Sequence, residues 1–501
     1  MKDKTLAMDQ GHSRIFNIHA WSDHKAFKKL EAEIFTSLSY KEQNILLSKS
    51  NNNGKSDPNK HLRTILADLY VAWETDHSLC TIVSHNNGYQ ANSRHNALSI
   101  PKRIIKIFDV LYEKAYLDRV KGGYHLENPK LSRSTRYRPT ALLQSLFGKI
   151  DIKAYDINLH QDQECIILRD KEPEALRTTN LEYDDTKLTW SMRYEVQAYN
   201  KLMNDHYVDV TTLQEPFVVR EVNPIRGKSY TIWHPVDQNH KFTRRIFSRG
   251  SWELNGRWNG GFWQNLPKHM RNDISIDGGP TVEINYSDLH PTLLALEKGV
   301  RLIGDWYDLG YQVCESIPLQ DQCKVVKQLF LIGINAKNRE AAFKAFQNAH
   351  KFYKTASLKR ILDAFVNKNP YFSDTICTDQ GIRLMNIDSN ITTHIINQFV
   401  TLRKPILSIN DSFIVKSEDR HLLRTAMSNA CIDIVGADIE AVARGNQKAQ
   451  YIKYAKTWKA QDKDLHMASV MQMQRPLECE EYRKRFEDWK DWKGLDAQYY
   501  T

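Results

Sequence analysis

The chain has little of what marks an exported or membrane-spanning protein. Its seven cysteines, Cys80, Cys165, Cys314, Cys323, Cys377, Cys431 and Cys479, are scattered, with no Cys-x-x-Cys pair and no histidine cluster beside them. That spacing excludes a zinc ribbon, and an odd, dispersed set is what reduced thiols in a cytosolic protein give. No apolar run approaches the roughly 18 residues a membrane helix needs. The start, Met1-Lys-Asp-Lys-Thr, leads into polar sequence without the apolar stretch of a signal peptide. A cytoplasmic protein with no membrane partner is the expectation. Internal repeats are also missing.

The composition is that of a folded chain, with 41% hydrophobic and 26% charged residues over 501 positions. That length accommodates two to four domains, each with its own core. A formal charge of +10 favours polyanionic partners.

Residues 20–48 carry Phe27, Leu30, Ile34 and Leu38 at helical spacing. The Ser48–Pro58 stretch, rich in Asn, Ser and Lys, reads as a loop. From 98 to 147 the pattern predicts a helix bearing Ile104, Ile107 and Leu111, a short hairpin over Tyr116–His125, a basic loop with Arg133, Arg136 and Arg138, and a helix near 140–147. That order resembles a winged-helix module; an ordinary helical subdomain with a solvated basic edge fits the same residues equally well. A polar helix is expected near 184–206. A charged tail from about 450 carries Phe486, Trp489 and Trp492 at helical intervals, a stripe expected to pack on the protein's own body.

Between Lys241 and Arg271 stand seven Lys/Arg and a single acid, Glu253, interleaved with Phe247, Trp252, Trp258, Phe262 and Trp263. Basic side chains grip phosphates and aromatic faces stack on bases, so the mixture suits a nucleic-acid track. Arg244, Arg245, Arg249, Arg257 and Arg271 are the expected contacts, with several of the tryptophans in the core.

Three further segments carry potential chemistry. In Thr281–His290 a strand points Val282, Ile284 and Tyr286 one way and Glu283, Asn285 and Ser287 the other. It runs directly into a helix, with His290-Pro291 expected at the cap and Gly299 at the stop. The next helix presents Lys324, Lys327, Leu331 and Asn335 within about 80° of one face, an arrangement able to hold a triphosphate. Pro405–Val415 reads as a strand, a tight Asn410-Asp411-Ser412 turn and a second strand.

In this order, the segments resemble the palm and fingers motifs of family A DNA polymerases and the related single-subunit phage RNA polymerases. Gln264-Asn-Leu-Pro with Arg271 is similar to the template–primer contact segment, and Asn285-Tyr-Ser to the family's Asp-Tyr-Ser. Lys327 matches the lysine that contacts the incoming triphosphate, and Asn410-Asp411-Ser the His-Asp turn that supplies the second metal ligand. The resemblance covers roughly residues 240–440.

It implies an α+β right-hand polymerase with palm over 241–300 and 401–450 and helical fingers over 301–400; outside its reach, the sequence pattern alone divides the rest into a mainly helical, winged-helix-like nucleic-acid-binding region over 1–150, a connecting or thumb-like region over 151–240, and the charged helical tail over 451–501. The resemblance further implies template-directed nucleotidyl transfer with two Mg²⁺ or Mn²⁺ ions, a nucleic-acid template and primer, and nucleoside triphosphates. The size, and the lack of evident exonuclease acids upstream, suit a phage or mobile-element enzyme. The implied catalytic residues are position 285, Asp411 and Lys327. Lys324, Asn335 and His290 would bind the nucleotide.

The sequence departs from the family in four places. Asn285 replaces the first catalytic aspartate, Asn410 replaces the histidine, Ile334-Asn335-Ala336 stands near the Tyr-Gly of the fingers helix, and His290 occupies a position where DNA polymerases carry a glutamate. An amide offers a dipole where a hard cation needs a charge, a loss of at least about 10–100-fold in metal affinity or activity. Glu283 and Asp288 are the nearest substitutes. The chain is then an inactivated variant, a disabled polymerase kept for binding, or an enzyme with a shifted ligand. The competing reading is a nucleic-acid-binding protein with a dead palm, a replication initiator or a sensor.

Overall fold

The structure, a computed structural model, describes residues 12–47, 59–84, 89–123, 132–171, 178–222, 230–443 and 478–495. It is a mixed α+β fold with two large hydrophobic clusters, one running from Phe16 to Ile157 and the other from Cys165 to Ile439. The Ser48–Pro58 loop and most of the tail beyond 443 lie outside the described residues.

The helical pattern over 20–48 divides into two helices, Lys25–Thr36 and Tyr40–Leu46. The break comes at Ser39, whose N–H donates to Glu42 at 2.8 Å and so starts the second helix with a capping box. Helix Ile104–Glu113 forms where its apolar face predicts. The expected hairpin is wider than a local turn. Leu117–Val120 pairs antiparallel with Thr135–Pro139, with a further bridge between Gly123 and Arg133, and the residues that turn the chain lie outside the described ones. Both strands belong to a four-stranded sheet with Cys80–Val83 and Ser13–Ile15. Asp68, fully buried beneath it, accepts from Arg14, from the Asn17 N–H (3.0 Å) and from Thr81 Oγ1 (3.0 Å).

The second cluster is built on an antiparallel sheet. Its strands run in the order Leu407–Ile409, Ser412–Lys416, Gly279–Tyr286, Ile274–Ile276 and Val208–Val210, with Ala441–Ala443 pairing the far half of the 279–286 strand. Val282, Ile284 and Tyr286 are buried, as the alternation predicts; burial of Glu283 (7% exposed) on the opposite face is additional. Helix Gly381–Thr401 packs between the Arg244–Ser248/Ser251–Asn259 hairpin and helix Arg420–Val435. The hairpin bends at Gly256 (φ +84°), where a Cβ would come within 2.6 Å of the Phe247 ring. Helices Leu319–Asn335 and Thr355–Lys368 share an aromatic core in which Phe330, Phe365 and Phe372 lie with ring centroids 4.7–5.8 Å apart.

The last described element, helix Glu480–Lys493, lies across both regions. Tyr482, Phe486 and Trp489 cluster around Tyr207. Arg485 donates to buried Asp209 at 2.9 Å, and Trp492 Nε1 to Asp156 at 2.9 Å.

Candidate functional site

The antiparallel ladder brings the two distant motifs together. Asn285 stands opposite Ser412, and Tyr286 N–H donates to the Asp411 carbonyl at 3.2 Å. Directly opposed residues in such a ladder sit ~4.5–5.5 Å apart. Asp411, opposite Tyr286, is therefore one step along the ladder from Asn285 at the same end of the sheet, and both are half-buried. On its other edge Asn285 pairs with Val442.

Two left-handed residues shape this end. Asn410 (φ +55°) opens the two-residue turn, and Asp288 (φ +48°) stands at the helix N-cap. Asn and Asp tolerate that conformation better than other side chains with a Cβ. The helix is Leu289–Leu296, so the cap is Asp288 and not the expected His290, which falls inside the first turn. The αL backbone at Asp288 allows the chain to enter the helix straight from the strand.

Asp288 and Lys327 form an ion pair with Nζ 2.8 Å from Oδ1, and the Lys327 ammonium lies 5.0 Å from the centre of the Tyr307 ring. Burial, with Asp288 alongside, pushes the Tyr307 hydroxyl pKa well up. Lys324, Lys327, Leu331 and Asn335 all lie on the exposed side of their helix. Asn335 donates to Leu331 O at 2.9 Å, and its amide packs so closely on Gly381 that a Cβ there would overlap it.

His290 enters a group that the sequence reading missed. Arg257 reaches Asp388 on the 381–401 helix at 2.6 Å, and His290 Nε2 stands 3.3 Å from Arg257 Nη2 and 3.8 Å from Asp388 Oδ2. Asp388 is 1% exposed. A signal was available: Leu384, Asp388, Ile391 and Ile395 fall on one buried stripe, with an acid where an apolar residue is expected.

The six expected nucleic-acid contacts are placed very differently. Arg245 is 3% exposed, donates to Gly256 O and Ser389 Oγ at 3.0 Å, and has its pKa lowered to about 10 by burial. It holds the hairpin to the helix and faces no solvent. Arg249 pairs with Asp379 at 2.8 Å, and Arg271 lies 3.6 Å from Glu283. Gln264 donates to Trp258 O and Ser408 O at 3.0 Å, bracing the 407–409 strand. Arg244 alone of the five arginines has a side chain with no ion pair or hydrogen bond to the described residues; its guanidinium lies 5.6 Å from the Phe242 ring centroid. Trp258 and Trp263 are core, as expected.

Two divalent ions do not fit the donors at this end. Asn285 supplies an amide, whose nitrogen donates to Tyr286 O at 2.7 Å. Glu283 is buried beside Arg271, and Asp288 is engaged by Lys327. Among the described residues no three His, Cys, Asp or Glu side chains gather as a metal site. The expectation of a two-ion centre built from Asn285, Asp411, Glu283 and Asp288 is not met by the chemistry of these side chains.

No protein-family model and no curated protein matches the chain. Among solved structures it is similar to the POL domain of Pol1 from M. smegmatis, in complex with DNA primer-template and dNTP, at 10% identity. The match covers 85% of this chain and 66% of that one, just under two thirds of its length, with a TM-score of 0.29. A superposition that loose fixes neither the fold nor the role of any residue. No helix among the described residues is long and apolar enough to cross a membrane.

Proposed function

We propose that this chain is a polymerase-type nucleotidyltransferase whose transfer step is disabled at Asn285, and that it binds nucleic acid and nucleoside triphosphates through an otherwise retained site. The observation that carries the reading is the strand register. It sets Asn285 opposite Ser412 and so one step along the ladder from Asp411; Asn285 and Asp411 are the two positions at which the sequence resembles the metal-binding aspartates of family A polymerases. Lys327 adds support, because its ammonium reaches this same end of the sheet from the neighbouring helix.

On this reading residues 241–300 and 401–450 form the palm, 301–400 the fingers, and 1–150 a nucleic-acid-binding region, in a cytoplasmic phage or mobile-element protein. Lys327, with Lys324, holds the triphosphate; His290, fixed by the Arg257–Asp388 pair, lies beside the nucleotide. Asp411 alone cannot replace a pair of carboxylates, since an amide partner leaves bound cation charge uncompensated. The second reading, a nucleic-acid-binding protein that never catalyses transfer, is favoured by the absence of a metal-ligand cluster among the described residues.

Primer extension decides between them. A labelled primer–template is incubated with dNTPs or NTPs, in Mg²⁺ and in Mn²⁺, with the chain, with Asn285→Asp, and with Asn285→Asp/Asp411→Ala. Extension is expected to rise at least about 100-fold in Asn285→Asp and to vanish in the double variant. Silence from all three, despite salt-dependent binding to the duplex, would leave the binding-protein reading.

A further inference from the structure

A second concavity lies away from Asn285 and Asp411. Its walls come from the turn around His160–Gln163, the C-terminal half of helix Lys187–Asn204 and the segment Gln238–Phe242. Asp205 lines it, and the adjacent His206 bonds Asp277 at 2.8 Å, just before the 279–286 strand begins. Asn285 stands at the other end of that strand, roughly 20 Å away at ~3.3 Å per residue. The cavity encloses about 650 Å³, within the ~300–1,000 Å³ of small-ligand sites.

Its chemistry is specific. Of fourteen lining residues eight are Asn or Gln; Asn200, Gln238 and Asn239 are bonded to the backbone of Thr243, Val208 and Ala154, and the other five give the wall amide donors and acceptors together. A mixed edge of that kind complements a nucleobase, and adenine above all, which amides recognise through N6 and N7. Gln163 is 8% exposed and its Oε1 has no hydrogen-bond partner among the described residues. A buried carbonyl in that condition calls for a donor from something else. Gln197, Lys201 and Asn204, at i, i+4 and i+7, present one exposed helix face to the same space. Phe242 supplies a half-buried aromatic wall, and the arginine without an ion pair, Arg244, lies against that ring. Asp162 and Asp205 also line the cavity, which disfavours a polyphosphate and leaves Lys201 on the wall, with Arg244 next to the lining Phe242, to balance a single phosphate.

We propose that this cleft binds an adenine nucleoside monophosphate unit, its base against Phe242 and read by Gln163, Gln197 and Asn204, its phosphate toward Arg244 and Lys201. The unit is a free nucleotide or one nucleotide of a single strand, and the recognition chemistry is the same. The inference does not rest on the polymerase reading.

The test is calorimetric titration of the full chain carrying Lys327→Ala, which silences the proposed triphosphate contact. AMP, dAMP, ribose 5-phosphate, oligo-dA and oligo-dT are the probes. AMP or dAMP is expected to bind at least about tenfold tighter than ribose 5-phosphate, with Gln163→Leu or Gln197→Ala/Asn204→Ala weakening it by about three- to tenfold. The second variant changes only exposed residues and guards against a folding defect in the first. Oligo-dA binding more tightly than dAMP, with the same sensitivity to the amide variants, assigns a strand as the source; equal affinity assigns a free nucleotide. Equal binding of AMP and ribose 5-phosphate, no binding at millimolar concentration, or indifference to both amide variants overturns the proposal.

Discussion

Lys327 Nζ lies 2.8 Å from Asp288 Oδ1, so the ammonium proposed to hold a triphosphate is already held by a carboxylate. The two groups are 47% and 24% exposed, and such pairs contribute about 0.2–1 kcal/mol. A phosphate arriving at Lys327 must displace Asp288. Asp288→Asn is therefore expected to tighten triphosphate binding about two- to fivefold, and Lys327→Ala to weaken it about tenfold or more. Titration with a fluorescent triphosphate checks both. Weaker binding in Asp288→Asn would mean that Asp288 builds the site and does not restrain it.

Asp388 is expected to matter more for stability than any other acid near this end of the sheet. It is 1% exposed and faces Arg257 at 2.6 Å. Removing one partner of a buried ion pair costs about 3–5 kcal/mol; because Arg257 retains 22% exposure, about 2–3 kcal/mol is expected for Asp388→Asn. Urea unfolding of Asp388→Asn, Arg257→Gln and the double variant gives the coupling, expected above about 1 kcal/mol. Additive losses would show that the two side chains act independently.

Acid should weaken the region around the first hydrophobic cluster before it weakens the rest. Burial lowers the pKa of His61 and of His19 to about 4, and both residues are nearly inaccessible to solvent. Each ring is neutral in the folded chain but binds a proton near pH 6.5 once unfolded. The unfolded state thus holds more protons between pH 6.5 and 4, and stability falls as pH drops through that window. His61→Leu is expected to recover about 1–2 kcal/mol of the loss at pH 4.5 relative to pH 7.5. Thermal melts at the two pH values read it directly; an unchanged difference would point to other groups.

The parts of this molecule that announced themselves in the sequence are those with local periodicity. The 279–286 strand alternates, the 319–335 helix keeps its lysines on one face, and Asn410-Asp411 marks a tight turn, each fixed by side chains a few positions apart. What stayed hidden depends on partners distant in the chain. Arg245 and Arg257 look alike in sequence, yet one is sealed against Gly256 and Ser389 while the other meets Asp388. No pattern near 68 announces that its carboxylate lies beneath a sheet whose strands begin at 13, 80, 117 and 135. The shift of the cap from His290 to Asp288 has a local cause, a left-handed residue that the motif His-Pro obscures.

The helix lying across both regions also sets a clock. Its contacts, Arg485 with Asp209 and Trp492 with Asp156, join residues 276 and 336 positions apart. During synthesis at ~5–20 residues per second, Asp209 and Tyr207 leave the ribosome roughly 14–55 seconds before Arg485 does. For that interval a buried carboxylate and an aromatic patch of the finished protein stand open to water, to chaperones and to neighbouring chains. The order of assembly is thus imposed by translation: the sheet and its helices come first, and the 480–493 helix closes a surface that the earlier residues have had to keep soluble on their own.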